Sequence, residues 1–475
     1  MILTISRVWE ALGQGDWPWA EIGERPVLGV VVDSRLASDG SLFVALPGER
    51  TDGHLFVGDA FARGAQLALI QRAVDASAPV LPVSEALTAD APVSLPLCLL
   101  VEDTLVALQR LAAFWRALHD SCRVIGITGS VGKTTTKELI AAVVGAHFQT
   151  LKSEGNYNNE IGLPLTMLEL HDGVEWVVQE MGMYALGEIA HLASIARPEI
   201  GVVTNVGPTH LERLGTIGHI AQAKAELVQA LPPHGVAVLN GDDERVRAME
   251  ALTPAERILR YGLEPHNDLW ADEVQTYGLE GLSLRMHFRG GAVHMRLPVL
   301  GRHSAYGALA ASAVGLSVGL EWDEIIEGLR DEQARVRLLV VPGFRGSTIL
   351  DDTYNASPAS TTAALNLLAE LEGPRVAVLG DMLELGSHEE EGHRLVGRRA
   401  AQVVDLLVGV GELGRVIAGE AREAGMLDSR VRAVRSNDEA IDALHELLPE
   451  GATVLVKGSR GMEMEQIVAA LARGD

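Results

Sequence analysis

Cysteine is almost missing from this sequence. Cys98 and Cys122 are the only two in 475 residues. Two cannot build a disulfide framework, so the chain reads as a reduced, cytosolic protein. Basic residues are in short supply too: 39 Lys and Arg stand against 64 Asp and Glu, a formal charge of −25. Nucleic acid and anionic membranes both want a basic face, so neither is expected as the main partner. No charged-then-apolar signal segment opens the chain, and no run reaches the ~18 apolar residues of a membrane span. There is no Gly-x-Gly-x-x-Gly dinucleotide fingerprint and no strict P-loop. Hydrophobic residues make up 47% of the sequence, enough for several cores. The length suggests about three domains at ~150 residues each.

What is present is a glycine-rich stretch in the first third, Gly126-Ile-Thr-Gly-Ser-Val-Gly-Lys-Thr-Thr-Thr136. It follows the apolar Val124-Ile125 and opens into Lys137-Glu-Leu-Ile-Ala-Ala-Val-Val144, with apolar residues at helical spacing. A buried strand, a tight turn and a helix N-terminus make a polyphosphate site from backbone N–H groups and the helix dipole. Gly129, Ser130, Val131, Gly132, Lys133, Thr134 and Thr135 are the expected nucleotide cradle. Lys133 would reach the terminal phosphates, and Thr134 would give its hydroxyl to Mg²⁺. The strict P-loop places a glycine where Ile127 stands. An ordinary Gly-rich strand-to-helix turn is the plainer alternative.

Residues 1–100 read as a small α/β unit, with strands at Val27–Val32, Gly40–Gly48 and Leu67–Ile70 and polar turns at Asp33-Ser34-Arg35 and Asp52-Gly53-His54. No catalytic constellation follows from those residues. Residues 101–320 hold the phosphate loop and a mostly parallel α/β pattern. Asp103 or Thr104 caps a helix running to about Leu118. Asn156-Tyr-Asn-Asn159 suits either a ligand-facing loop or a plain Asn-rich turn. Trp176–Glu180 reads as a strand ending in a carboxylate, and His210 falls just past the strand beginning at Ile200. Ligands in open α/β sheets sit beyond the carboxyl ends of strands, so Glu180 and His210 are candidates to meet metal or phosphate; a structural role for the histidine is the alternative. Lys224 lies on the apolar stripe of a helix over Gly218–Leu231, with Ile220, Leu227 and Val228. It either snorkels its ammonium into water or is desolvated enough for its neutral amine to become accessible. A neutral amine adds CO₂ to give a carbamate, an oxygen ligand for Mg²⁺. Residues 321–475 alternate strands and helices, giving a doubly wound, Rossmann-like domain. The sum is an ATP-using enzyme whose candidate metal set is Thr134, Glu180, His210 and a modified Lys224; its phosphoryl acceptor does not follow from these residues.

The sequence resembles the Mur ligase family, and within it the MurF branch, over nearly its whole length. The resemblance rests on Asp33-Ser-Arg35, the Thr128–Thr136 loop, Asn156-Tyr-Asn-Asn-Glu160, Glu180-Met-Gly182 and Thr204-Asn-Val-Gly-Pro-Thr-His210. It extends to Ala223-Lys224, Asp351-Asp-Thr-Tyr-Asn355, Gly380-Asp-Met-Leu-Glu-Leu-Gly386 and Lys457-Gly-Ser-Arg460. The unusual loop spacing is the family's own. An Asp-Asn-Pro-Arg segment, the mark of the sibling that adds the third amino acid, is lacking.

The resemblance implies a UDP-sugar-binding first domain, a P-loop ATPase-like central domain and a Rossmann-like last domain. It implies an enzyme that uses ATP and Mg²⁺ to join D-alanyl-D-alanine to UDP-N-acetylmuramoyl-tripeptide through an acyl phosphate; a monomer is expected. Lys133, His210 and Lys224 would be catalytic, with Lys224 the carbamylated lysine. Ser34, Arg35, Asn156, Asn158 and Asn159 would contact the nucleotide-sugar substrate. Arg337, Asp352 and Asn355 would close over ATP and the dipeptide. A folate polyglutamylating ligase of the same architecture and a non-catalytic ATP-binding protein are the rival readings. One departure stands out. The family pattern Gly-x-His-Asn-x-x-Asn-Ala-Leu-Ala appears here as Gly301-Arg-His-Ser304-Ala-Tyr-Gly307-Ala-Leu-Ala, so both asparagines are replaced. Its Tyr-Asn-Ala-Asn-Pro has become Tyr354-Asn-Ala-Ser357-Pro, where Ser keeps a hydroxyl suited to a helix N-cap.

Overall fold

The computed structural model describes residues 1–48, 51–87, 93–155, 157–209, 211–331 and 339–472. It divides into two compact units. The first comprises Met1–Gly126, Phe148–Gly182 and Glu188–Glu199; the second comprises Ile127–His147, Met183–Gly187 and the chain from Ile200 onward.

The first unit contains a five-stranded, all-parallel sheet in the order Val30–Val31, Leu42–Val44, Leu67–Ile70, Leu97–Leu100, Val80–Pro82. Leu67, Ala68, Leu69 and Ile70 are all buried, as expected of a parallel strand covered on both faces. The expected strand over Val27–Val32 is shorter than its apolar run, because the Val27 N–H bonds to the Leu3 carbonyl at 2.8 Å and leaves the ladder. The helix Thr104–Leu118 starts where its cap predicts: the Asp103 side chain accepts from the Val106 N–H at 2.9 Å. It buries Leu108, Leu111, Ala112 and Trp115. Also in this unit, Thr150–Lys152 pairs in parallel with Trp176–Glu180, which is buried at every position.

In the second unit, Ile200–Val203, Val236–Asn240, Arg257–Gly262 and Leu269–Thr276 pair in parallel. An antiparallel meander of Leu269–Thr276, Leu282–Phe288 and Gly291–Leu297 follows, the β-rich decoration anticipated near 260–300. The helix Lys133–Gly145 packs against Ser304–Val318, whose small residues allow a close approach.

The same unit holds a six-stranded sheet in the order Leu339–Gly343, Ser347–Asp352, Thr453–Lys457, Arg375–Gly380, Leu406–Val410, Val431–Val434. All its pairs are parallel except the edge pair of Leu339–Gly343 with Ser347–Asp352. Pro342 sits on that edge, where its missing N–H breaks no interior ladder. Alternate strand residues feed two separate cores. Leu350, Ala377 and Leu379 pack with Leu365, Val396 and Ile417 on one face. Ile349, Val376 and Val378 pack with Leu444 and Ile467 on the other. Helices on both faces of a parallel sheet make this the doubly wound arrangement expected from the alternation of elements.

Candidate active site

In the second unit the phosphate loop is stitched to the turn that follows Ile200–Val203. The Val131 N–H donates to the Asn205 Oδ1 at 2.9 Å, and the Asn205 amide donates back to the Val131 carbonyl at 2.8 Å. The Thr204 hydroxyl donates to that same carbonyl at 2.8 Å. Ser130 donates from its hydroxyl to the Gly207 carbonyl at 3.0 Å and accepts from the Gly207 N–H at 2.8 Å. Asp243 accepts from the Val206 N–H at 2.8 Å and fixes the far side of the turn. Gly129 is required here: its φ is +150°, and a methyl at its Cα would overlap the Thr204 hydroxyl. Gly132, at φ +86°, turns the chain into the helix that begins at Lys133. The Lys133 ammonium donates to the Gly129 carbonyl at 2.9 Å, folded back over its own loop. Thr134 and Thr135 lie in the helix's first turn, where N–H groups point outward to an anion.

Lys224 projects from the helix Ile217–Gln229 and is 2% exposed. Such burial removes the snorkelling alternative. It pushes the ammonium's pKa well below the usual lysine range, and the nearby Lys133 cation pushes it further the same way. A buried amine whose charged form is disfavoured is suited to carbamate formation.

The first unit carries a second cluster. Glu180, 3% exposed, ends its strand. The Asn158 amide donates to Glu180 Oε1 at 2.8 Å. Asn159 instead accepts from the Ile161 and Gly162 N–H groups at 3.2 and 2.8 Å, which opens the helix Gly162–Leu168. The Asn-rich turn thus has a structural role at Asn159, and its Asn158 amide is turned to Glu180. In the small sheet's loops, Ser34 is buried, and Arg35 holds Asp33 through Nη2–Oδ2 at 2.6 Å while its side chain stays 82% exposed. That ion pair lowers the pKa of Asp33. His54 is spent on structure: Nδ1 lies 2.7 Å from Asp52 Oδ1, and Nε2 accepts from the Gln71 N–H at 3.0 Å.

A third cluster lies in the six-stranded domain. Lys457, 2% exposed, donates to Asp352 Oδ2 at 2.7 Å and to the Asn355 carbonyl at 2.8 Å. Ser357 caps the helix Pro358–Ala369 in a capping box with Ser360, the role expected of its hydroxyl. His303 is near enough to this cluster for Asp352 and Lys457 to act on it.

The substituted motif is internally satisfied. The Ser304 hydroxyl donates to the Leu300 carbonyl at 2.6 Å. A Cβ at Gly307 would lie 3.0 Å from Leu139 Cδ1 and 3.6 Å from Thr135 Cγ2, so this position faces the phosphate-loop helix. Asn156, His210 and Arg337 lie outside the described residues. Among the described residues no group of three His, Cys, Asp or Glu side chains is gathered for a metal. The Glu180 carboxylate in the first unit and the Thr134 hydroxyl in the second are each hard oxygens of the kind Mg²⁺ takes. Thr204, Asn205, Asp243, Gln179 and Lys457 were not singled out from the sequence as site residues. Thr204, Asn205 and Lys457 stand at or just past strand carboxyl ends, the signal that would have found them.

Residues 26–116 match the Mur ligase family catalytic domain, 127–315 the Mur ligase middle domain, and 336–460 the Mur ligase glutamate ligase domain. A UDP-N-acetylmuramoyl-tripeptide–D-alanyl-D-alanine ligase of Bacillus subtilis (strain 168) is 38% identical over 449 residues, covering 93% of each chain. The chain belongs to the Mur ligase family. Among solved Mur ligases, MurF from Acinetobacter baumannii superposes with a TM-score of 0.84 at 31% identity, over 99% of both chains. MurF from Thermotoga maritima, solved in complex with ADP, gives 0.76 at 27% identity over 94% of this chain and 97% of its own.

Proposed function

We propose that this Mur ligase uses ATP to join D-alanyl-D-alanine to UDP-N-acetylmuramoyl-tripeptide, giving the pentapeptide precursor of peptidoglycan. The observation that carries the reading is the near full-length likeness to ligases of that name, together with a stitched phosphate loop and a buried Lys224. Three domains are proposed, with boundaries near residues 100 and 320, and the protein is proposed to act as a cytoplasmic monomer. No helix among the described residues is long and apolar enough to cross a membrane.

The terminal carboxylate of the tripeptide attacks the γ-phosphorus of ATP in line, the β–γ bond breaks, and ADP leaves. The amine of the dipeptide then attacks the acyl phosphate carbon and inorganic phosphate departs. Lys133 moves from the Gly129 carbonyl to the transferring phosphoryl oxygens and offsets their charge. The N–H groups of Gly129 to Thr135 hold the phosphates, and Asn205 keeps that loop in shape. Thr134, Glu180, His210 and carbamylated Lys224 would hold Mg²⁺, which supplies further charge neutralisation when bound. Ser34, Arg35, Asn156 and Asn159 are proposed for the nucleotide-sugar end. Arg337, Asp352 and Asn355 are proposed for the closing side, which excludes water from the acyl phosphate.

The test is joining of the dipeptide, read as the mass gain of the UDP product. Joining of another amine in its place would keep the Mur ligase chemistry and reject the acceptor.

A further inference from the structure

The Asn158–Glu180 hydrogen bond is supported by the backbone around it. Glu180 is a carboxylate and accepts only, so the Asn158 amide must present its N–H to Oε1. Asn158 is itself held by its backbone, since its carbonyl accepts from the Gly182 N–H at 2.8 Å. Gly182 leaves room for this, because a Cβ there would stand 3.1 Å from the Asn158 amide. The preceding residue is anchored from inside the strand: Gln179, fully buried, donates from Nε2 to the Tyr157 carbonyl at 2.7 Å. Gly162 lets the turn close, since a methyl there would overlap Tyr157. The Glu180 N–H, in turn, donates to the Ser153 hydroxyl at 3.3 Å. The turn therefore holds the Asn158 amide against Glu180 Oε1, and the strand holds the backbone that carries this carboxylate.

We propose that Asn158 is a positioning residue for the metal-binding carboxylate of Glu180, supported from beneath by Gln179, and not a contact to the nucleotide-sugar substrate. The inference rests on the reading of Glu180 as a Mg²⁺ ligand. A carboxylate that arrives pre-oriented does not have to be ordered when the ion binds, and outer partners of ligands typically govern metal affinity by 10–100-fold. Asn159, one residue on, accepts through Oδ1 from the N–H groups that open the next helix.

The test uses the full chain with Mn²⁺ in place of Mg²⁺. Free Mn²⁺ is followed by electron paramagnetic resonance in the presence of ADP, and KM for UDP-N-acetylmuramoyl-tripeptide is measured alongside. Asn158→Ala should weaken Mn²⁺ binding about tenfold while leaving KM for the tripeptide within about twofold. Asn158→Ser, which keeps a donor, should recover part of the affinity and serves if the alanine variant does not fold. Gln179→Met should weaken Mn²⁺ in the same direction. A tenfold rise in KM with unchanged Mn²⁺ binding would make Asn158 a substrate contact and overturn the proposal. Lost thermal stability with neither constant moved would overturn it as well. Mn²⁺ binding with ADP does not involve the acceptor amine, so a wrong acceptor assignment would show in the ligation assay and not here.

Discussion

Lys457 and Asp352, 105 positions apart in the chain, meet at 2.7 Å across adjacent parallel strands. Lys457 is 2% exposed, and its ammonium also holds the Asn355 carbonyl. The pair thus ties the Asp351–Asn355 turn to the neighbouring strand end. Removing Lys457 leaves Asp352, whose side chain keeps some contact with water, so the loss falls at the low end of the about 3–5 kcal/mol typical of breaking a buried pair. Lys457→Met should therefore lower the urea stability of the protein by about 3 kcal/mol. A change below about 0.5 kcal/mol, the usual range for surface substitutions, would mean that the pair is incidental.

Gly129→Ala tests the loop. The added methyl collides with the Thr204 hydroxyl, which also serves the Val131 carbonyl. Backbone strain of about 1–3 kcal/mol should appear as ADP binding weaker by about tenfold or more, measured by calorimetry. Unchanged ADP affinity would show that the loop does not hold the nucleotide in this shape.

Lys224 gives a pH signature. Its pKa in the folded protein is depressed by burial, then by Lys133, relative to an unfolded value near the model-peptide ~10.4. Between the folded value and ~10.4 the unfolded chain carries the extra proton, so stability rises with pH through that window. Below the folded value the cost of burying the charge is fully present. In CO₂-free buffer, denaturation midpoints of the parent should rise from neutral pH toward pH 10, and Lys224→Met should flatten the rise. Lys224→Ala should lose most ligase activity and regain some with added short carboxylates. Full activity in the alanine variant would remove the carbamate role.

These features were not equally visible in the sequence. The phosphate loop and the doubly wound domain are local patterns, a glycine spacing and an alternation of apolar runs, and both appear where expected. Lys224 was visible because a lysine on an apolar stripe contradicts the pattern around it. The direction of the Asn158 amide was not visible, because its partner Glu180 lies on another segment. The Lys457–Asp352 pair depends on which strands become neighbours, and spacing does not encode that. Strand ends such as Val27 were overextended because an apolar run continues past the point where its N–H finds a different partner.

Gly307 makes the family's asparagine a poor fit. A side chain there meets Leu139 at 3.0 Å from its first carbon. Gly307→Asn should destabilise the protein by about 1–3 kcal/mol, the usual cost of overpacking, without tightening ATP. Pairing it with Leu139→Ala should relieve part of the loss. Tighter ATP binding by the single variant would show instead that the position opens toward the nucleotide.

The most direct measurement is phosphate release from ATP with purified protein, UDP-N-acetylmuramoyl-tripeptide and D-alanyl-D-alanine, omitting each component in turn. Release that requires all three, with the UDP product gaining the mass of the dipeptide less water, is the predicted result. Release that proceeds without the dipeptide, or a product carrying a different amine, would contradict it.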